Sequence, residues 1–187
     1  MSETAVEIPG YLAGTWTIDR VHSEVSFVVR HMMVSKVRGR FDTFSGTVTT
    51  AADPLDSSVT ATVDLASVNT GEPNRDNHIR SADFFHVEQH PTMTFQSTGV
   101  RQDGDEFLLD GDLTLRGNTR PVTFRLEVNG FGPDAYGGTR AGFSATTEIN
   151  RSEWGVSYNG PIPGGGMMLS EKITVNLEIE AVLDKPE

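Results

Sequence analysis

Hydrophobic positions recur at every second residue along most of this chain. Val25, Phe27 and Val29 alternate with Ser26, Val28 and Arg30, and Val59, Ala61, Val63 and Leu65 alternate with Thr60, Thr62 and Asp64. Met93 and Phe95 stand against Thr94 and Gln96; Phe107, Leu109, Leu113 and Leu115 stand against Asp110, Asp112 and Thr114. The same period runs through Val122, through Phe143 and from Ile173 to Leu183. Alternation of this kind places one face of a pleated strand against a core and the other in water, and the Val, Thr and Phe that fill these runs suit that surface. Turn residues punctuate them at Ala52-Asp53-Pro54, Asp103-Gly104-Asp105, Arg116-Gly117-Asn118 and Tyr136-Gly137-Gly138. The pattern predicts an all-β domain of about eight antiparallel strands, closed as a barrel or packed as a sandwich.

Two segments break the period. Glu72 to Pro91 carries polar residues where a strand would alternate, and is expected to form a loop with a short helix. Ser152 to Leu169 is glycine-rich and irregular yet keeps Trp154, Tyr158, Met167, Met168 and Leu169. Connections of that length in a compact domain are usually binding loops or lids. Residues 1–13 are expected to be an N-terminal extension and residues 14–184 a single domain.

Composition narrows the function. The 187 residues are 36% hydrophobic and 22% charged, and 26 acids against 15 Lys and Arg give a net charge of −11. Such a surface repels phosphate backbones, so no nucleic-acid partner is expected. The chain has no cysteine, which excludes disulfides and thiolate sites. No apolar run approaches the roughly 20 residues of a membrane-spanning helix. The start of the chain has no signal-peptide pattern, so a cytoplasmic location is expected.

Candidate chemistry is sparse. Asp19, His22 and Ser23 lack the strand-to-helix elbow that exposes a nucleophile, and read best as a hydrogen-bonded turn. His78, His86 and His90 are spaced to share one face of a helix, which defines an alternative reading, a metal-assisted hydrolase using that cluster. Pro91 and the Phe84-Phe85 pair oppose a continuous helix there, and the segment has no HExxH pattern. The remaining possibility is binding. An eight-stranded barrel holds one small ligand in its interior. Its inward face would carry Phe27, Val29, Phe41, Phe44, Phe95 and Leu113, with Phe84, Phe85 and Trp154 near a mouth. Periodicity does not distinguish a hollow barrel from a filled one.

A series of motifs then narrows the choice. Trp16 to Phe27 reads WTIDRVHSEVSF and leads into VRHMMVSKVRGRF, Val29 to Phe41. Asn77 to Phe85 reads NHIRSADFF, His90 to Thr98 reads HPTMTFQST, Gly111 to Val122 reads GDLTLRGNTRPV, and Ile149 to Gly155 reads INRSEWG. In this order and spacing the chain resembles the YceI-like, or polyisoprenoid-binding, family from about residue 14 to 183. The resemblance implies a lipocalin-like antiparallel β-barrel with a short helical loop near its mouth. It implies an interior that binds, and stores or carries, a polyisoprenoid, an isoprenoid quinone or a similar long-chain amphiphile. No enzymatic activity and no cofactor are implied, and the family's role is described as lipid binding, storage, transport or stress response. Many members are periplasmic, and members often pair, so a homodimer is a possible assembly.

On that reading Phe27, Val29, Phe41, Phe44, Phe84, Phe85, Phe95, Trp154 and Met168 contact the apolar tail. Arg75, His78 and Arg80, joined by His31 and Arg30, meet the polar headgroup, arginine being suited to it by its planar fork of donors. Trp154 and Met167 to Leu169 are expected to form a lid.

Overall fold

The computed structural model describes residues 7–32, 34–160 and 168–185. In chain order its strands are β1 (Gly14–Ile18), β2 (Glu24–His31), β3 (Ser35–Phe41), β4 (Phe44–Thr50), β5 (Ser58–Asp64), β6 (Val68–Asn69), β7 (Thr92–Asp103), β8 (Glu106–Leu115), β9 (Asn118–Pro133), β10 (Thr139–Asn150) and β11 (Leu169–Leu183). The one α-helix among the described residues, α1, spans Pro73–Arg80. Strands β1, β4, β5, β7, β8, β9, β10 and β11 pair in that order, and β1 pairs again with β11. That ring is a closed antiparallel barrel of eight strands.

Strands β2, β3 and β6 extend it at one end. β11 pairs with β1 over its last residues and with β2 from Leu169 to Glu178. The first barrel strand is therefore β1 and β2 in succession, broken by one turn of 3-10 helix at Arg20–His22. The break is the turn expected at Asp19-His22-Ser23: Asp19 Oδ1 accepts from the Val21 amide at 3.0 Å, and Ser23 Oγ donates to the Glu180 carbonyl at 3.2 Å. β3 meets β6 only at Arg40 and Phe41, which leaves Ser35 to Gly39 as an edge. Lys36 and Arg38 stand on that edge, and charge of this kind discourages another strand from adding to it.

Local sequence explains the hairpins. Leu115 pairs with Asn118, so Arg116 and Gly117 form a two-residue connection, with φ of 51° and 73°. Two positive φ values are what a type I′ hairpin turn needs, and they match its twist to that of the strands. The segment at 72–91 contains the expected short helix. Glu72 caps it by accepting from the Asn74 and Arg75 amides, Pro73 starts it, and it ends at Arg80.

Alternation turns one side chain in two toward the barrel interior, and close approaches are made over glycines. A Cβ on Gly111 would lie 2.3 Å from the tip of the Phe95 ring, and one on Gly39 would lie 2.3 Å from the Phe27 ring. These two rings lie flat on backbone where any other residue would push them away.

The ring closes at a short seam. Only Trp16, Thr17 and Ile18 of β1 pair with β11, and side chains reinforce the junction. Trp16 is fully buried, and its indole N–H donates to Thr50 Oγ1 at 2.8 Å. On the outside, Arg140 of β10 donates to Asp19 and to Glu180 of β11, both at 2.8 Å, and to Asp134 at 3.0 Å. Hydrogen bonds from His22 and then Arg140 hold the Asp19 carboxyl down at about 2.

Gly111→Ala is expected to lower stability by about 1–3 kcal/mol, since the Phe95 ring must leave its place. Gly132→Ala, with nothing within 4 Å of the added carbon, should stay within about 0.5 kcal/mol. Urea unfolding of the two variants checks this, and equal losses would contradict it. The seam carries a second expectation. A carboxyl whose pKa is depressed on folding adds stability above its ordinary value near 4, and that stability is lost as pH falls through the folded value. Asp19→Asn should therefore unfold at lower urea than the parent near neutrality, and the gap should shrink between about pH 4 and pH 2. A gap independent of pH would show that Asp19 acts without its charge.

Candidate functional site

Inside the barrel lies a cavity of about 200 Å³. Every strand of the ring contributes to its wall: Ile18 from β1, Phe44 and Val48 from β4, Ala61 and Val63 from β5, Met93 and Phe95 from β7. Leu109 and Leu113 of β8, Phe124 and Leu126 of β9, Phe143 and Ala145 of β10 and Val175 and Leu177 of β11 complete it. Phe95 and Phe124 meet edge to face, with centroids 5.5 Å apart. No Asp, Glu, Lys, Arg or His lines the cavity among the described residues. Several of the wall's hydroxyls are engaged with the protein: Thr147 Oγ1 donates to the Thr123 carbonyl at 2.7 Å, and Thr50 Oγ1 to the Leu12 carbonyl at 2.7 Å. A space of this size with apolar walls does not hold ordered water, and accepts apolar matter in its place.

The two ends of the barrel differ. One is filled. Leu65, Val68 and Trp154 are almost wholly buried there, with Phe41, Phe84 and Leu115 beside them. The Trp154 indole donates to the Leu113 carbonyl at 2.9 Å, and Arg116 Nη1 donates to the Phe84 carbonyl at 2.6 Å. At the other end the cavity runs out between Ile8 and Tyr11 of the N-terminal segment, Pro54 and Ser57 of the turn before β5, and Phe131 of β9. The Tyr11 ring packs edge-on against Phe131 at 5.3 Å, its hydroxyl donates to the Ala51 carbonyl, and it lies 3.2 Å from Ser57 Oγ. Part of the expected N-terminal extension therefore covers the mouth.

Of the residues expected on the tail, Phe44 and Phe95 line the cavity. The others stand elsewhere. Phe27, Phe41 and Phe85 form a chain of rings 5.6 and 6.0 Å apart beside the filled end. Phe84 and Trp154 belong to the plug itself. Val29 sits in the wall opposite Val37 and Ile173. Met168 is 38% exposed, with its amide donating to the Gly160 carbonyl. Of the expected lid, Met167 lies outside the described residues, as do Gly164 to Gly166, while Trp154 is held in the core. Phe84, Phe85 and Trp154 are thus a floor and not a mouth, because the two loops that carry them fold across the barrel end, one tied by Arg116 at the Phe84 carbonyl and the other by the Trp154 indole at the Leu113 carbonyl.

The residues expected at the headgroup also stand away from the cavity. Arg75 donates from Nε to Thr70 Oγ1 and from Nη2 to the Thr70 carbonyl. Arg80 donates to the carbonyls of Ala66 and Val68 and to Asn77 Oδ1. His78 Nε2 lies 2.8 Å from Asp83 Oδ2, between the edges of Phe84 and Tyr158. His31, at the end of β2, faces Ser35 and Leu169, and Arg30 is exposed beside it on the outer strand face. None of these lines the cavity. Sequence reasoning missed Tyr11, Leu109, Phe131 and Phe143 as lining residues. Their positions in the alternation marked some of them as inward, but nothing local placed them at the hollow level of the barrel.

The histidine cluster does not form. α1 ends at Arg80, and His86 has a φ of 54°, so no helix carries all three rings. His86 and His90 approach at 6.0 Å, while His78 turns to Asp83. Asp19, His22 and Glu180 do come within 4.8 Å of one another, but the Arg140 guanidinium already supplies the positive charge between their carboxylates.

Comparison with known proteins agrees with this architecture. A YceI-like domain model matches residues 16–181. Protein YceI of Escherichia coli O157:H7 is 36% identical over 178 residues, covering 93% of this chain and 90% of that one. The crystal structure of the Campylobacter jejuni YCEI protein superposes with a TM-score of 0.72 at 28% identity, over 83% of this chain and 90% of that one. A polyisoprenoid binding domain from Saccharophagus degradans, implicated in plant cell wall breakdown, has the same fold, with a TM-score of 0.70 at 18% identity over 92% of this chain and all (100%) of that one. With a match across nearly the whole barrel and relatives above one-third identity, this chain belongs to the YceI-like family.

Proposed function

We propose that the barrel holds the tail of a polyisoprenoid, an isoprenoid quinone or a similar long-chain amphiphile in its cavity, and stores or carries it without altering it. The observation that carries this reading is an interior wall that is apolar but for a few hydroxyls and, among the described residues, lacks any ionisable side chain except the Tyr11 phenol. Hydroxyls without a histidine or carboxylate beside them make no nucleophile–base pair among the described lining residues. Membership in the YceI-like family and the polyisoprenoid-binding neighbour on the same fold support the same assignment.

Magnitudes favour long tails. Each buried methylene contributes about 0.8 kcal/mol, so ten buried carbons supply about 8 kcal/mol before losses. Association itself costs about 4–15 kcal/mol, so short chains would leave and long ones would stay. Apolar burial has no direction, and lipids of similar girth should compete for the space.

Denaturing extraction of the purified protein into organic solvent, followed by mass spectrometry against a mock purification, is expected to yield a long-chain lipid near one per chain. Ala145→Phe places a ring in the cavity, and should lower that yield several-fold while leaving thermal unfolding near the parent value. A clean extract from the parent protein, or a full lipid load in Ala145→Phe, would count against the tail site.

A further inference from the structure

The ends of the barrel also carry opposite information about charge. Among the described residues the cavity has no cation, and buried in its apolar wall an anionic headgroup would lose its hydration with nothing to replace it. Any charged head must therefore remain at the mouth. There the chain supplies carboxylates: Glu7 precedes Ile8, and Asp53 and Asp56 flank Pro54, all three exposed. The guanidiniums nearest that end are already matched. Arg101 donates twice to Asp110, at 2.6 and 2.9 Å, Arg125 pairs with Glu106, and Arg140 bridges Asp19, Asp134 and Glu180. One exposed cation, Lys185, follows the end of β11, and these carboxylates outnumber it.

The opposite end is closed by its plug. Arg75, Arg80, Arg116 and Arg151 there donate to backbone carbonyls, and the amides at the start of α1 are occupied by the Glu72 carboxylate. What the mouth does present is neutral hydrogen-bonding chemistry, the hydroxyls of Tyr11 and Ser57, which lie 3.2 Å apart and are also bonded to the Ala51 backbone.

We infer that this barrel selects amphiphiles with an uncharged headgroup, such as an alcohol or a quinone ring, and discriminates against a phosphate or diphosphate on the same tail. The inference rests on the proposed tail site and adds the class of head that the site admits. Repulsion by Glu7, Asp53 and Asp56 acts through water, and so weakens with salt. Exclusion of the charge from the apolar wall does not weaken with salt.

The experiment titrates the full chain with geranylgeraniol and with geranylgeranyl diphosphate, followed by tryptophan fluorescence or calorimetry below the aggregation limit of each lipid. The alcohol is expected to bind about tenfold or more tightly than the diphosphate at low salt, as like-charge juxtaposition requires. Equal affinities, or a preference for the diphosphate, would overturn the inference and leave the tail site standing. Binding of neither would overturn both. Asp56→Lys, which alters an exposed side chain outside the cavity wall, should narrow the alcohol-to-diphosphate ratio several-fold at low salt, with the effect fading at about 0.5 M salt. A ratio unmoved by Asp56→Lys at any salt concentration would remove the electrostatic part of the selection.

Discussion

A sheet of eight strands becomes a barrel only if its last strand finds its first, and here β1 makes that meeting only briefly before β2 takes it over. Three residue pairs join β1 to β11, against eleven between β10 and β11. Trp16 stands in the middle of this junction, paired with Val48 on one side and Leu183 on the other. Its complete burial, with the indole N–H satisfied by Thr50, concentrates apolar contact where the ladder is thinnest. Thr50 Oγ1 passes the chain of hydrogen bonds on to the Leu12 carbonyl, so the same cluster anchors the segment that carries Tyr11 to the mouth. Closure and gating of the interior thus share one set of residues. The wall needs that closure because its inner face, without a partner sheet, would otherwise be exposed to water.

The filled end depends on a different interaction. Loops that cross a barrel end have no ladder to satisfy their carbonyls, and a buried unpaired carbonyl is costly. Arginines supply the missing donors. Arg151 is only 4% exposed and reaches the carbonyls of Val156, Tyr158 and Ser170, and burial lowers its pKa below the ordinary arginine value. Arg80 and Arg116 do the same for the strand β6 region and the Phe84 loop. Five N–H groups in a rigid fork make one arginine able to join several strands of backbone at once. The floor is therefore tied to its surroundings by side chains, and the cavity opens only toward the opposite end among the described residues.

The strands were legible in the sequence because a half-buried strand writes its period directly into residue type, and Leu109 against Asp110 or Val63 against Asp64 leaves little choice. The turn at Arg116-Gly117 and the helix after Glu72 were legible for the same reason, since their chemistry is local. The use of Arg75 and Arg80 was not. A guanidinium presents the same letters whether its partner is a lipid phosphate or a carbonyl such as that of Ala66, and the difference lies in tertiary placement. Phe84, Phe85 and Trp154 were misplaced on similar grounds: aromatic residues on an irregular loop suit a mouth and a floor equally well. His78, His86 and His90 had helical spacing, but a helix that stops at Arg80 gives that spacing no geometric meaning.

Stability and emptiness then stand in tension. A cavity deprives the side chains around it of contacts that a packed core would supply, so a barrel filled by its own residues would be the more stable object. This chain keeps Ala61 and Ala145 at interior positions where larger side chains would fill space, while packing the floor densely with Leu65, Val68 and Trp154. The two choices are connected. A densely packed plug and a closed wall bound the hollow section on its sides and at one end. A ligand that enters the folded barrel and not the unfolded chain adds its own binding free energy to stability. On the proposed function, a bound lipid would supply the missing core contacts, and the deficit they leave would become part of what retains it.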